Sequence, residues 1–324
     1  MLADVDEGIR RVQEQMEAQG YVTDREVATT VFLASELHMP VLIEGHAGVG
    51  KTEVAKVLAA SQETELIRLQ CYEGLDAYTS LYEWNYPKQM LWIRLAEQES
   101  LSLDTKEAHI FASEFLLKRP LLQAISYTGK PPVLLIDEID RADEEFEAFL
   151  LEVLSDFQVT IPELGTIKAD RPPFVVLTSN RTRELSDALK RRCLYLWIDY
   201  PSFDKELSIL VAKAPGVSEL LAAQIATSMA ALRRLRLSKA PGIAESVKWA
   251  ISLMSLGRPR LDRAGLEQTF GVVLKDRDDI EAVRGLWLDS LLESLDGLDV
   301  EGLRELAESG PLPGPTRTAG AGEG

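Results

Sequence analysis

A short apolar run, Val41-Leu42-Ile43, leads into Gly45-His46-Ala47-Gly48-Val49-Gly50-Lys51-Thr52, and a helical pattern with Val54, Val57 and Leu58 on its apolar positions follows directly. Strand, glycine-rich turn and helix in that order leave the backbone little choice. The glycines let successive N–H groups turn inward, and the helix N-terminus behind them adds positive potential, which together make a cradle for phosphate groups. In this reading Gly45, His46, Ala47, Gly48, Val49 and Gly50 wrap the phosphates, Lys51 neutralises their oxygens, the Thr52 hydroxyl ligates Mg2+, and Glu53 closes the nucleotide-contacting stretch. A glycine-rich turn beside an exposed lysine is the bland alternative. The strand before and the helix after argue against it.

A phosphate loop needs carboxylates to work with. A second apolar run, Val133 to Ile136, ends in Asp137-Glu138, and a third, Phe174 to Leu177, ends in Thr178-Ser179-Asn180. Asp137 is expected to hold the Mg2+ hydration shell and Glu138 to orient and polarise an attacking water. ATP and Mg2+ are the implied ligands. Asn180 would reach the γ-phosphate or that water if its strand lies beside the one carrying Asp137; otherwise it is an ordinary turn former. Asp140, Asp143, Glu144 and Glu145 are expected to begin the next helix, where acids suit the dipole.

Strands apolar throughout and separated by helices predict an α/β fold with a parallel sheet between helices. Phe146, Phe149, Leu150, Val153, Leu154 and Phe157 recur at helical spacing and predict a helix that buries one face on that sheet. After Pro201 the pattern turns to Leu- and Ala-rich helical segments. The expected organisation is a helical extension over 1–22, a nucleotide-binding domain over 23–200, an all-helical domain over 201–308 and a Pro/Gly-rich disordered tail over 309–324.

The 324-residue chain carries a formal charge of -17, which opposes a phosphate backbone and excludes nucleic acid as the expected main partner. Arg233, Arg234, Arg236 and Lys239 end an apolar helical stretch, where they read as helix C-terminal charge in preference to a basic patch. The run Met1 to Arg10 is acidic and no long apolar run occurs, so the expectation is a cytoplasmic protein without an integral membrane segment. Cys71 and Cys193 lie far apart and read as buried thiols. His38, His46 and His109 have no ligand spacing.

The loop Gly45 to Thr52, the Asp137-Glu138 strand, Asn180 and the run Ala188-Leu189-Lys190-Arg191-Arg192 together resemble the successive motifs of an AAA+ ATPase, and the region after Pro201 resembles its lid. Within that superfamily the chain looks like the MoxR branch over about Thr23 to Gly257. The likeness rests on the long stretch between Lys51 and Asp137 and on Phe157 to Pro162 with Gly165-Thr166-Ile167, which resembles the hairpin before the sensor strand. Cys71-Tyr72-Glu73-Gly74-Leu75-Asp76 and Tyr82-Glu83-Trp84-Asn85-Tyr86 look closest to the CoxD-like group.

The resemblance implies a homo-oligomeric ring, usually a hexamer, with an arginine finger from the neighbour at Arg192, or secondarily Arg191. The alternative for either is a salt bridge to the nearby acidic helix. It further implies a von Willebrand factor A domain partner and a client metalloenzyme of the molybdenum hydroxylase, carbon monoxide dehydrogenase type. One departure stands out: where the family often has a sensing arginine, this chain reads Ala240-Pro241-Gly242-Ile243-Ala244-Glu245, leaving Lys239, Lys248, Arg233, Arg234 or Arg236 as substitutes. The aromatic segment Tyr72 to Trp92 reads either as a client-gripping loop or as core.

Overall fold

The computed structural model describes residues 2–96 and 109–309. They fall into two compact units, one comprising the chain up to Gly45 with Lys51–Ile198, the other His46–Gly50 with the chain from Asp199 onward. The stretch expected to be a disordered tail lies outside the described residues except for Ser309.

The strands of the first unit, in chain order, are β1 (Val41–Gly45), β2 (Leu66–Gln70), β3 (Tyr82–Trp84), β4 (Leu116–Lys118), β5 (Val133–Asp137), β6 (Gln158–Ile161), β7 (Gly165–Lys168), β8 (Phe174–Ser179) and β9 (Leu194–Ile198). Five of them form a parallel sheet in the order β2-β5-β8-β1-β9. The burial patterns explain the order. Every residue of β1 and β5 is buried, as is nearly all of β8, because these strands are covered on both faces. Edge strand β2 alternates instead, burying Ile67 and Leu69 while Arg68 and Gln70 stay exposed. Since β8 lies between β5 and β1, the polar ends of all three strands meet at one edge of the sheet.

Helices of this unit are α1 (Leu2–Ala18), α2 (Arg25–Leu37), α3 (Lys51–Ser61), α4 (Ala77–Leu81), α5 (Tyr86–Ala96), α6 (Pro120–Ile125), α7 (Glu144–Asp156) and α8 (Asp187–Arg192). The α7 helix begins where Asp143 accepts the Phe146 N–H at 2.8 Å, carries Glu144, Glu145 and Glu147 in its first turn, and buries Phe146, Leu150, Val153 and Leu154. It stops at Phe157, whose left-handed backbone (φ 48°) turns the chain into the β6–β7 hairpin. The aromatic segment divides between the two readings: Tyr82 and Trp84 pack on the sheet's core, whereas Tyr72 and Tyr86 are exposed. Cys71 and Cys193 are buried, and burial pushes both thiols up to about 12.

The second unit is helical among its described residues: α9 (Phe203–Lys213), α10 (Glu219–Arg233), α11 (Ile243–Ser255), α12 (Arg263–Val273), α13 (Arg277–Val283), α14 (Leu286–Leu295) and α15 (Val300–Glu308). Its centre is α10, which buries residues on every side, from Leu221 through Leu232. Arg233 ends this helix but does not face water, since its side chain is only 7% exposed. Its guanidinium makes paired contacts of 2.5 and 2.9 Å with Glu206, donates to the Pro241 carbonyl at 2.9 Å and lies over the Tyr200 ring. Ser246 donates to the same Glu206 at 2.5 Å. Arg233 therefore drops out of both the basic patch and the substitutes for a sensing arginine, because a buried counter-ion already claims it.

Removing one partner of such a pair strands the other in an apolar interior. Arg233→Ala is expected to lower unfolding free energy by about 3–5 kcal/mol. Urea titration should show the loss, and adding Glu206→Leu should restore much of it.

Candidate active site

The sequence-predicted residues Lys51, Thr52, Asp137, Glu138 and Asn180 converge at the C-terminal edge of the sheet. Thr52, in the first turn of α3, donates to Asp137 Oδ1 at 3.1 Å, and Thr178 on β8 donates to the same oxygen at 2.5 Å. Lys51 Nζ donates to the Gly45 carbonyl at 2.8 Å and to Asn180 Oδ1 at 2.7 Å. Asn180 Nδ2 in turn donates to Glu138 Oε1 at 3.3 Å. The condition set for Asn180 is met, because β8 does lie beside β5. Burial pulls the Lys51 ammonium below its ordinary pKa, and Asp140, Asp137, Glu138 and Glu44 oppose that shift.

Backbone strain marks the site. Glu138 follows β5 in a left-handed conformation (φ 55°), and Arg181 follows Asn180 in another (φ 59°). Such conformations cost a non-glycine residue about 1 kcal/mol or more, and hydrogen bonds hold them here. The Glu138 N–H donates to Thr178 Oγ1 at 3.0 Å. Asp140 accepts from the Asn180 and Thr182 N–H groups at 3.2 and 2.8 Å and from the Thr182 hydroxyl at 2.7 Å. This corrects the expectation for Asp140. It sits in a short 3-10 turn, Ile139–Arg141, buried beneath the Asn180 loop, and only Asp143, Glu144 and Glu145 belong to the helix start.

Sequence reasoning passes over Arg68 and Gln70. From the edge strand, Arg68 donates to Asp137 Oδ2 through Nε (3.0 Å) and Nη2 (2.5 Å), and through Nη2 to Gln70 Oε1 (2.5 Å). Gln70 Nε2 reaches Glu138 Oε2 at 3.2 Å, and Arg141 Nε pairs with the same oxygen at 2.8 Å. The available signal is the period-two alternation of Leu66-Ile67-Arg68-Leu69-Gln70, which puts both polar side chains on one face of a strand. Arg191 and Arg192 lie apart from this cluster, exposed in the last turn of α8, and no ion pair among the described residues ties them to α7. Glu53 pairs with Lys56 at 3.4 Å on α3.

The loop residues His46–Gly50 group with the second unit. His46 stacks on Tyr200 with ring centroids 4.7 Å apart, and the Ile243 N–H donates to the Gly48 carbonyl at 2.9 Å. Gly48 (φ 80°) and Gly50 (φ 98°) have the left-handed backbone that glycine adopts without penalty. Gly242 has an ordinary φ of -93°, but a Cβ there would stand 2.6 Å from the Gly48 carbonyl oxygen. Glu245 accepts the Gly242 N–H at 3.0 Å and opens α11.

Residues 41–197 match the family model described as ATPase family associated with various cellular activities (AAA). Over those residues the chain resembles an AAA ATPase domain. Over 186 residues it is 29% identical to the Holliday junction branch migration complex subunit RuvB of Thermosipho melanesiensis, covering 55% of this chain and 58% of that protein. It is 23% identical over 206 residues to the denitrification regulatory protein NirQ of Pseudomonas aeruginosa, covering 61% of this chain and 68% of the relative. Among solved structures, a mutant form of Thermotoga maritima RuvB superposes with a TM-score of 0.48 at 18% identity, covering 91% of this chain and 85% of the other. The chain thus spans little more than half the length of the first of these relatives.

The residues of the matched region fit the nucleotide and metal that an AAA ATPase would hold. An ammonium and a hydroxyl at a helix N-terminus face a carboxylate that is 4% exposed, and the loop before them has backbone only glycine tolerates well. Because Gly242 touches the loop without room for a methyl group, Gly242→Ala must displace Gly48. Titration with a fluorescent ATP analogue should show affinity falling about tenfold, against a stability loss of only about 1–2 kcal/mol.

Proposed function

We propose that this protein is an AAA+ ATPase of the MoxR type, a chaperone that spends ATP hydrolysis on remodelling a client protein. The reading of its chemistry is carried by one observation, the relay from Lys51 through Asn180 to Glu138. Lys51 holds phosphate oxygens, with backbone N–H groups of Gly45 to Gly50 around them and Glu53 in the helix turn behind. Thr52 and Asp137 hold the metal. A Mg2+ ion bound there would supply charge neutralisation to the phosphates.

Glu138 orients the attacking water and takes up its developing proton, while Asn180, shared between Lys51 and Glu138, fixes that water against the γ-phosphate. The strained backbone at Glu138 aims its carboxylate at the same edge of the sheet as the Lys51 ammonium. Arg192, with Arg191 second, acts on a neighbour's nucleotide in a homo-oligomeric, hexameric ring. Their exposure at the end of α8 supports that reading. Such a finger is worth about 10³ to 10⁵ in rate.

The client is a metalloenzyme, in the first instance a molybdenum hydroxylase of the carbon monoxide dehydrogenase type, served together with a von Willebrand factor A domain protein. This rests on the resemblance of the segments Cys71 to Asp76 and Tyr82 to Tyr86 to the CoxD-like group. The organisation proposed with it is a helical extension over 1–22, a nucleotide-binding domain over 23–200, a helical lid over 201–308 and a tail over 309–324. A nucleic-acid motor is the second reading, favoured by the likeness to a branch migration subunit and opposed by the net charge of -17.

Lys51→Ala is expected to abolish ATP binding, Glu138→Gln to retain ATP while stopping hydrolysis, and Arg192→Ala to bind ATP but turn over only when mixed with subunits that supply the finger. Phosphate release and nucleotide binding measured side by side test all three; normal turnover by Arg192→Ala alone removes the finger assignment. Capture from the native host with ATP-loaded Glu138→Gln, using Lys51→Ala as the empty control, decides between the readings. Recovery of a molybdenum enzyme with a von Willebrand factor A protein supports maturation, and recovery of nucleic acid supports the motor.

A further inference from the structure

Asp137 is the carboxylate that a divalent cation needs, yet it is already saturated. Oδ1 accepts the Thr52 and Thr178 hydroxyls, and Oδ2 accepts both Nε and Nη2 of Arg68. The two partners differ in freedom. The Asp137 side chain is 5% exposed, whereas that of Arg68 is 52% exposed and reaches inward from the edge strand. A guanidinium anchored at the solvent margin can leave; the carboxylate cannot.

We propose that Arg68 is a positioning residue that occupies Asp137 in place of a divalent cation and yields it only when the metal arrives with nucleotide. The inference rests on the reading of Asp137 as the metal-holding carboxylate. A free cation must displace the guanidinium from Oδ2, and two positive charges then stand close together with one carboxylate between them. A cation that arrives with a nucleoside triphosphate brings excess negative charge, so the displaced guanidinium gains phosphate oxygens as partners and the repulsion is offset. Arg68 thereby makes metal and nucleotide bind cooperatively. Through its bond to Gln70 and the bond from Gln70 to Glu138, the same guanidinium ties metal entry to the position of the water-orienting carboxylate.

The test is a Mn2+ titration of the full-length chain without nucleotide, read by loss of the electron paramagnetic resonance signal of free aqueous Mn2+. Arg68→Gln should bind Mn2+ about tenfold more tightly than the unmodified protein, and Asp137→Asn in that background should erase the gain. Arg68→Lys keeps the charge but not the forked contact, so it should tighten binding by about threefold and serves should the glutamine variant not fold. Repeated with ATP present, the cooperativity between metal and nucleotide should fall in Arg68→Gln by at least the factor by which the nucleotide-free affinity rises. Unchanged Mn2+ affinity in the Arg68 variants, with Asp137→Asn still weakening Mn2+ binding in the presence of ATP, overturns the gating role and leaves the metal assignment standing. If Asp137→Asn leaves Mn2+ binding with ATP intact, both fall.

Discussion

One buried carboxylate organises the first unit. Asp137 ends a strand that has neighbours on both sides and is almost wholly removed from water, so its charge must be met from within the fold. Three elements answer it: α3 through Thr52, β8 through Thr178 and β2 through Arg68. Each arrives from a different part of the sequence, and parallel registers bring the ends of β2 and β8 level with that of β5. Were the sheet order different, the charge would be unpaired and the strand could not end in aspartate at this depth.

The same logic extends outward in a closed circuit. From Asp137 the bonds run through Arg68, Gln70 and Glu138 to Asn180 and Lys51, and Lys51 is the chain neighbour of Thr52. A network whose members are all satisfied is rigid, and disturbing one member is felt by the others. Asp140 stands beneath this circuit as its foundation, since it holds the backbone on which Asn180 sits.

Much of this is legible in the sequence where local pattern and chemistry coincide. The phosphate loop, the two carboxylates and Asn180 sit at the ends of apolar runs, and a run of that kind announces both its strand and its end. The α7 helix is legible for the same reason, from its spacing and its acidic first turn. Arg68, Gln70 and Asp140 are not. An edge strand with one wet face has a weaker signature than a buried one, and the contacts that give these side chains meaning cross between strands distant in the chain. Asp140 misleads because an acid just before a helix normally serves the helix; here tertiary hydrogen bonds to the Asn180 loop outcompete the dipole. Arg233 misleads in the other direction: as one of four clustered cations it looks like surface charge, and only the packing of α9 against α10 reveals its buried partner.

The contact between Gly48 and Gly242 bears on how such a chain can diverge. Each glycine is held for a different reason, one by its backbone conformation and the other by the space the first leaves. Gly242 cannot take a side chain unless Gly48 has moved, whereas Gly48 is held by its own backbone whatever stands at position 242. A designer who scored each site alone would find Gly242 replaceable, because its own dihedral angles suit alanine. The prohibition lies in the shape of its neighbour, and in this fold a missing atom is the message that passes between loop and helix.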